Sequence, residues 1–284
     1  MNEAWLGLGG LTVRLTGGDS VGAAMRIPGM AVFAVPGGKA DIELALDAPL
    51  PAAALQPLHR FPIVDDRSHC LFGLDAEGRY AYHFEGYGRL RFDPRQPGRV
   101  ECSPIGDSAV LRFALWIALS MTGPGLGVVP LHASAVVCHG QAVACLGESG
   151  TGKSTHTRLW LSHIEGCHLL NDDSPLLAAA ADGVWLYGSP WSGKSPCFRA
   201  ERRPLAALLR LEQRRQNSIR RLGVVEAFAA LQPSCPPCLM KEERLADRLV
   251  DLVGKVIART PVYRMGCLPD AGAAQLSHST IFGL

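Results

Sequence analysis

The most constraining feature of the sequence is one glycine-rich loop. It reads Gly147-Glu148-Ser149-Gly150-Thr151-Gly152-Lys153-Ser154 and matches the pattern Gly-x-x-x-x-Gly-Lys-Ser/Thr in full. An apolar run, Gln141 to Leu146, precedes the loop, and a segment with apolar residues at helical spacing follows it. Glycines let backbone N–H groups turn towards a phosphate, and the helix N-terminus adds partial positive charge. The loop therefore predicts a strand–loop–helix unit in an α/β nucleotide-binding domain.

Two side chains of this phosphate loop have expected roles in holding a nucleotide. Lys153 is expected to reach the β- and γ-phosphates, and the Ser154 hydroxyl is expected to ligate Mg²⁺. The predicted cofactors are therefore ATP and Mg²⁺. The predicted cofactor-binding residues are Gly147, Glu148, Ser149, Gly150, Thr151, Gly152, Lys153, Ser154 and Thr155.

A pair of aspartates ends the segment His168-Leu169-Leu170-Asn171-Asp172-Asp173, one helix and one short strand beyond the loop. In a βαβ unit the carboxyl ends of both strands lie along one edge of the sheet, so the aspartates return to the loop. One carboxylate can hold Mg²⁺, and the other can accept the proton of an attacking hydroxyl. Adjacent strand residues point to opposite faces, so their roles cannot be equal. A solvated Asp-Asp turn is the alternative interpretation.

Two other segments lie near the loop in sequence. His132 is placed on the incoming strand, Pro130 to Val137, which is expected to form a hairpin with Gln141 to Leu146 around His139-Gly140. The segment Gly188 to Lys194 follows an apolar run. A lone strand histidine is usually packed and a Gly-Ser-Pro segment is usually a turn, so the residue pattern alone assigns neither to the site.

The residue pattern of the chain changes near residue 104, which predicts a domain boundary there. Residues 1–104 are expected to form a β-rich accessory domain, with short strands at Met30 to Val35, Ile42 to Leu46 and Arg79 to Phe84. Residues 105–284 are expected to form the α/β nucleotide-binding domain, with helices at Asp107 to Met121, Gly152 to Glu165 and Glu243 to Arg259.

Charge and hydropathy exclude several classes of protein. The 28 basic and 26 acidic residues give a net charge of +2 without a long block of one sign, so a nucleic-acid partner is not expected. The N-terminus lacks the basic segment and apolar core of a secretory signal. The most apolar stretch, Ala109 to Met121, is shorter than the roughly 20 residues that span a bilayer. A cytoplasmic protein without a membrane partner is expected.

The nine cysteines are an odd number without dense spacing, which favours reduced thiols over a disulfide framework. Cys235-Pro236-Pro237-Cys238 has the spacing of half a zinc site or of a redox pair. No second pair of this kind follows downstream. The preferred interpretation is two ordinary reduced cysteines in a proline-rich connection.

Four segments together resemble the HPr kinase/phosphorylase and phosphoenolpyruvate carboxykinase-like superfamily over about half of the chain. They are Leu131 to Ala135, Gly147 to Thr155, Leu170 to Asp173 and Gly188 to Lys194. The resemblance implies a phosphate-loop core of that type behind an N-terminal β-rich domain. It also implies a catalytic set of Asp172, His132 and Lys153, with Asp172 as the general base towards an acceptor serine. Ser154 and Asp173 are implied on the metal side.

Two departures separate this chain from the bifunctional HPr enzymes. Thr155 stands where those enzymes have a glutamate, and Gly188-Ser189-Pro190-Trp191 stands where they have a Glu-x-Arg-Gly-rich signature. The pattern is more similar to the divergent serine kinases of ribosomal-peptide pathways, including the lasso-peptide tailoring kinases. That likeness implies a precursor peptide with a C-terminal serine as acceptor, and homo-oligomers occur among such relatives.

Three function classes stay open at this point. They are a serine kinase acting on a peptide or protein, a kinase or lyase acting on a small metabolite, as free L-serine kinases and carboxykinases do, and a nucleotide-binding switch. An HPr kinase/phosphorylase is a separate alternative. The loop from Trp191 to Arg203 is aromatic and basic and can dock an extended peptide, hold free serine, or simply be solvated. The peptide acceptor is favoured, with expected contacts at Ser189, Trp191, Lys194 and Arg199.

Overall fold

The computed structural model describes residues 2–63, 68–193 and 195–284. Contacts divide the chain into two units, of which unit 1 is Met1–Leu126 with Pro237–Asp247 and unit 2 is Gly127–Pro236 with Arg248–Leu284. The predicted boundary at residues 104 and 105 falls before the helix that follows Asp107. That helix contacts the strands and first helix of unit 1, so the structure places the division after Leu126.

An eight-stranded sheet forms the main part of unit 1. Its strands are β1 (Glu3–Leu8), β2 (Leu11–Thr16), β3 (Ile42–Ala45), β4 (Gln56–Ile63), β5 (Ser68–Leu74), β6 (Tyr80–Phe84), β7 (Gly88–Phe92) and β8 (Arg99–Cys102). Their order across the sheet is β1-β2-β3-β8-β7-β6-β5-β4. The predicted strands at Ile42 to Leu46 and Arg79 to Phe84 are confirmed.

The strand predicted at Met30 to Val35 is wrong, because Met30–Phe33 is a 3₁₀ helix. Gly29 precedes it with a φ of 86°, a left-handed conformation that turns the chain into the helix. Met30 and Phe33 are buried whereas Val32 is 48% exposed, a three-residue spacing that suits a 3₁₀ turn and not a strand.

Two α-helices of the described residues lie wholly in unit 1: α1 (Asp19–Arg26) and α2 (Ser108–Thr122). The side chain of Asp107 caps α2 by accepting hydrogen bonds from the backbone N–H groups of Ala109 and Val110, both at 2.9 Å. The helical segment continues to Leu126, and its 19 residues are long and apolar enough to cross a membrane by length and composition alone, but 67% of its most apolar 18 residues are buried in the fold. Such burial is typical of a core helix. The helix predicted from Asp107 to Met121 is confirmed, because α2 ends at Thr122 and a 3₁₀ helix, Gly123–Leu126, follows it.

A nine-stranded sheet forms the main part of unit 2. Its strands are β9 (Val128–Pro130), β10 (Ala133–Cys138), β11 (Gln141–Leu146), β12 (His168–Asp173), β13 (Leu176–Ala180), β14 (Gly183–Tyr187), β15 (Arg202–Gln213), β16 (Ser218–Arg221) and β17 (Val262–Cys267). The order is β12-β10-β11-β15-β14-β13-β9, with β17 beside β15 and β16 beside β17. The chain is thus a mixed α/β protein with two sheets.

Four α-helices among the described residues belong wholly or partly to unit 2, together with a 3₁₀ helix at Gln232–Ser234. The α-helices are α3 (Lys153–His163), α4 (Val224–Leu231), α5 (Glu243–Ile257), whose first residues up to Asp247 belong to unit 1, and α6 (Ala271–Phe282). The helices predicted after the phosphate loop and near the C-terminus are therefore confirmed.

The pairing of three strands determines where the site residues meet. β10 is antiparallel to both β11 and β12, so β11 and β12 run in the same direction with β10 between them. Ala133 at the start of β10 faces Leu146 at the end of β11 and Asp173 at the end of β12. The residue before Ala133, the loop after Leu146 and the aspartate pair therefore share one edge of the sheet, called the site edge below.

The predicted strand from Pro130 to Val137 is interrupted. β9 ends at Pro130 and β10 begins at Ala133, so His132 lies in the break and not within the strand. Its backbone N–H donates to Ser234 O at 2.7 Å, which fixes the chain where it enters β10. The hairpin predicted around His139-Gly140 is confirmed.

Candidate functional site

The phosphate loop turns sharply from β11 into α3. Gly147, Gly150 and Gly152 have φ angles of 152°, 82° and 102°, a region that side chains rarely adopt. A Cβ at Gly147 would overlap the Thr151 side chain. Thr151 in turn donates to Glu148 O through its backbone N–H, at 3.2 Å, and through its hydroxyl. The turn therefore requires glycine at its first position and is fixed by its own internal hydrogen bonds.

Two residues of β15 hold the loop from one side. The Arg210 guanidinium lies 2.8 Å from Glu148 Oε1, and Gln213 Nε2 donates to Gly150 O at 3.1 Å. The hydrogen bond from Arg210 lowers the pKa of the Glu148 carboxyl. These contacts were not predicted, because they depend on the pairing of β11 with β15, which places Leu146 beside Arg210.

Lys153 folds back over the loop. Its ammonium donates to Gly147 O at 2.8 Å and to Glu148 O at 3.1 Å, and it lies 2.9 Å from His132 Nε2. Burial lowers the pKa of Lys153, although the carboxylates of Asp173 and Glu148 act in the opposite direction. The cation is thus only partly compensated by its protein partners.

His132 links the lysine to the aspartate pair. Because the Lys153 ammonium can only donate, a neutral His132 ring accepts at Nε2 and carries its proton on Nδ1. Nδ1 lies 3.6 Å from Asp173 Oδ1, a distance that permits electrostatic attraction and is too long for a hydrogen bond. Lysine, histidine and aspartate therefore form one polar row along the site edge.

The two aspartates have different surroundings. Asp172 is 7% exposed, whereas 40% of the Asp173 side chain is exposed. The Asp172 carbonyl accepts a hydrogen bond from Gly193 N at 2.8 Å, and a Cβ at Gly193 would come within 2.7 Å of that carbonyl. The glycine therefore lets the segment after β14 approach β12 closely, and Asp172 lies in this contact.

Ser154 and Thr155 lie in the first turn of α3. The Ser154 carbonyl accepts from Thr157 Oγ1 at 3.2 Å and from Arg158 Nε at 3.0 Å, and Thr155 is exposed. The N-cap of the helix is Gly152, which has no side chain to satisfy the first N–H groups. These N–H groups are therefore available to an anion.

A buried hydrogen-bond network includes two of the predicted substrate contacts. Asn171 Nδ2 donates to Ser189 Oγ at 3.2 Å and to Trp191 O at 3.2 Å, and Asn171 Oδ1 accepts from Ser174 N at 2.9 Å. The Ser189 hydroxyl donates to Ser174 O at 2.6 Å. Ser189 and Trp191 are 0% and 3% exposed, so both side chains are buried in the fold. The network holds the segment after β14 against β12, and a substrate contact at these two residues stays a prediction.

Some side chains of the predicted aromatic and basic segment, Trp191 to Arg203, are held by contacts within the fold. Arg202 and Arg203 begin β15, where the Arg202 guanidinium lies 4.5 Å from the Trp185 ring centroid and Arg203 pairs with Glu201 at 2.9 Å. Arg199 is exposed, and Lys194 lies outside the described residues. Arg199 is therefore the described member of the predicted substrate set that remains exposed.

The two cysteines with CxxC spacing are both buried, Cys235 in unit 2 and Cys238 in unit 1. Burial raises the pKa of Cys235 to about 12 and that of Cys238 to about 11. Both thiols are thus protonated near neutral pH. That they bind no metal stays a prediction.

Comparison with known proteins found a similar solved structure but no matching family model and no matching curated protein. The fold is similar to the solved HPr(Ser) kinase/phosphatase from Coxiella burnetii, at 12% sequence identity and a TM-score of 0.34, over 54% of this chain and 88% of that chain. A likeness this slight carries no weight for function.

Proposed function

We propose that the chain is an ATP- and Mg²⁺-dependent kinase that transfers the γ-phosphate to a serine hydroxyl of a peptide or protein. One observation carries the proposal: the phosphate loop, His132 and the aspartate pair converge on the site edge. There the Lys153 ammonium lies 2.9 Å from His132 Nε2, and His132 Nδ1 lies 3.6 Å from Asp173 Oδ1. Phosphoryl transfer depends mainly on positioning and charge, which such a set supplies.

The loop fits a phosphate by shape and by charge. A Cβ built at Gly150 or at Gly152 would meet no atom within 4 Å, so these positions border open space. The first turn of α3 directs N–H groups there, and Lys153 has a cation whose pKa is lowered by burial. A phosphate beside that ammonium would compensate it better than carbonyl oxygens do.

The side chains proposed for the metal are also suitable. Ser154 and Asp173 offer hard oxygen ligands, which Mg²⁺ prefers, and this ion usually takes one or two carboxylates together with phosphate oxygens and water. Bound Mg²⁺ would neutralise negative charge on the phosphoryl group that is transferred. Arg210 pairs with Glu148 at 2.8 Å, and this ion pair holds one side of the loop in place.

In the proposed reaction the residues of the site edge have separate tasks. Lys153 holds the β- and γ-phosphates, and His132 orients the lysine by accepting at Nε2. The carboxylate of Asp172 accepts the proton of the serine hydroxyl while that oxygen forms a bond to the γ-phosphorus. The bond from the γ-phosphorus to the bridging oxygen breaks, and ADP leaves. A positioned base of this kind contributes typically ~10²–10⁴-fold in rate.

The acceptor is the least constrained part of the proposal. A peptide or protein acceptor is supported by the motif resemblance and by Arg199, an exposed guanidinium suited to a carboxylate. The test is transfer from γ-labelled ATP, with Mg²⁺, to free L-serine and to a panel of peptides that end in serine. We expect labelled peptides, with label lost when the terminal serine is replaced by alanine. Rapid turnover of free serine with no labelled peptide would reject the peptide acceptor and favour a metabolite kinase.

A further inference from the structure

A second cluster of reactive side chains lies at the opposite end of the strands that form the site edge. Cys138 ends β10, His139 lies in the following turn, and Cys167 directly precedes β12. His278 reaches the same place from α6. Since Ala133 and Cys138 are at opposite ends of β10, the cluster is about 17 Å from the site edge at ~3.4 Å per residue. The proposed kinase chemistry does not use these four residues.

The ligand atoms of the cluster are close together. Three ligand atoms all lie within 4.8 Å of one another: the Cys138 sulfur, one ring nitrogen of His139 and one ring nitrogen of His278. The two histidine Nε2 atoms are 3.0 Å apart, and the Cys167 thiol hydrogen-bonds to the Cys138 thiol. In a tetrahedral zinc site, with Zn–S ~2.3 Å and Zn–N ~2.0–2.1 Å, ligand atoms lie about 3.3–3.8 Å apart. The three ligand atoms within 4.8 Å are near this spacing, whereas Cys167 is not one of that set, so its side chain would have to move towards both histidines to complete a tetrahedral site.

The backbone of His139 is an independent observation. Among the described residues other than glycine, His139 and Asp47 have a positive φ, and that of His139 is 50°. Gly140 follows with a φ of 74°, so the two residues form a tight hairpin turn in which Asn-Gly is strongly preferred. Histidine is one of the residues that adopt this conformation more often than most. The turn therefore holds the His139 ring at the end of β10, with its Nε2 3.0 Å from His278 Nε2.

We infer that Cys138, His139, Cys167 and His278 form a site for one zinc ion. Thiolate sulfur and imidazole nitrogen together select zinc over Mg²⁺ or Ca²⁺, which prefer oxygen ligands. On binding, the ion would displace the protons of both thiols to solvent and accept lone pairs from both rings. The exposed ring of His139 leaves a path for the ion to enter. The site would tie the β10–β11 turn and the start of β12 to α6.

The competing explanation is aromatic packing. The His139 ring meets that of Phe282 at 5.1 Å, and the His278 ring meets those of Trp160 and Phe282 at 5.4 Å and 5.3 Å. Packing accounts for rings in contact, but it does not account for two adjoining thiols beside them. Packing and metal binding also differ in their response to zinc, which a binding experiment measures.

The test is a titration of reduced, metal-free full-length protein with zinc, in competition with a chromogenic chelator. We expect one zinc per chain and a melting temperature that rises with zinc. His139→Asn keeps a residue that the turn prefers and removes the ring, so the variant should fold and bind zinc at least ~10-fold more weakly. His163→Asn, at an exposed position of α3, and Cys235→Ala are the matched controls, and both should bind zinc like the wild type.

Cobalt titration tests the cysteines separately. A thiolate-to-cobalt charge-transfer band is expected in the wild type and should weaken in Cys167→Ser. The inference is overturned if the reduced wild type takes up no stoichiometric zinc, if His139→Asn and His278→Ala bind zinc as tightly as the wild type, or if only a Cys138–Cys167 disulfide is found. Neither titration involves ATP, so its outcome does not bear on the proposed kinase activity.

Discussion

At the scale of single residues, the two aspartates at the end of β12 differ in surroundings more than in chemistry. Asp173 is half-exposed and lies beside His132, whereas Asp172 is buried in the contact with Gly193. Their adjacency in a strand requires this difference, because neighbouring side chains point to opposite faces. The proposed roles, Asp173 on the metal side and Asp172 as the base, assign one task to each of these surroundings.

The first prediction separates these two roles. Asp172→Asn keeps the shape of the side chain and removes the base, so phosphoryl transfer should slow at least ~100-fold while ATP binding is retained. Asp173→Asn should instead weaken the Mg²⁺ dependence of ATP binding. Single-turnover transfer and ATP affinity with and without Mg²⁺ distinguish the variants. If Asp172→Asn loses ATP binding while Asp173→Asn loses only transfer, the two roles must be exchanged.

The second prediction concerns Asn171, which is 0% exposed and bonded at both ends of its amide. Asn171→Ala leaves buried groups unpaired, including Ser174 N, and should lower the free energy of unfolding by about 2–4 kcal/mol. The matched control is Asn217→Ala, whose hydrogen bonds to Asp270 and Leu268 are exposed, with an expected loss of at most ~1 kcal/mol. Urea denaturation measures the free energy of unfolding of both variants. Equal losses would contradict a larger stabilising contribution from the buried network.

At the scale of elements, α3 connects the phosphate loop to the rest of unit 2. Thr157 Oγ1 lies 2.8 Å from Ser134 Oγ on β10, and Trp160 Nε1 donates to Ser277 Oγ on α6 at 2.9 Å. His156 lies in the same helix, buried, with Nε2 3.0 Å from Ser277 Oγ. The helix that follows the phosphate loop is therefore held against β10 and α6 by buried polar contacts.

The third prediction follows from His156. Burial lowers its pKa from 6.5 to about 4, so the folded state keeps the ring neutral while the unfolded chain takes up a proton below about pH 6.5. Stability is therefore fully present above that pH and should fall by about 3 kcal/mol as the pH drops towards 4. Urea unfolding across this range should show a flatter pH slope in His156→Gln, and no change in the exposed control His163→Gln. If the free energy of unfolding of His156→Gln keeps the wild-type pH slope, this histidine does not cause the loss of stability at low pH.

Elements with local signals could be predicted from sequence, and those with long-range causes could not. The phosphate loop and α3 followed from glycine spacing and apolar periodicity, and the hairpin followed from His139-Gly140. Arg210 was missed because its place depends on β11 pairing with β15, far along the chain. The burial of Ser189 was missed for the same reason, since Asn171 and Ser174 supply its partners from another strand.

At the scale of the whole molecule, the chain leaves unit 1 and later returns to it. The return segment, Pro237–Asp247, is joined to the sheet of unit 1 by a hydrogen bond of 2.6 Å between the Tyr80 hydroxyl and Glu242 Oε2. The residue pattern predicted a domain boundary near residue 104, but it did not predict that the chain returns to unit 1 at Pro237–Asp247. Such a division depends on contacts between distant parts of the chain, which local composition does not encode.

The central claim is that the phosphate loop of unit 2 transfers phosphate from ATP, and one measurement tests it most directly. Single-turnover transfer from γ-labelled ATP with Mg²⁺ to serine-ending peptides should be readily detected in the wild type and abolished in Lys153→Ala. Lys153 faces the loop carbonyls and not the core, so the variant should keep its fold and its melting temperature without ligand. Lys255→Ala, at an exposed position of α5, is the control and should transfer at the wild-type rate. Transfer at the wild-type rate in Lys153→Ala, or a wild type that neither binds nor consumes ATP, would contradict the claim.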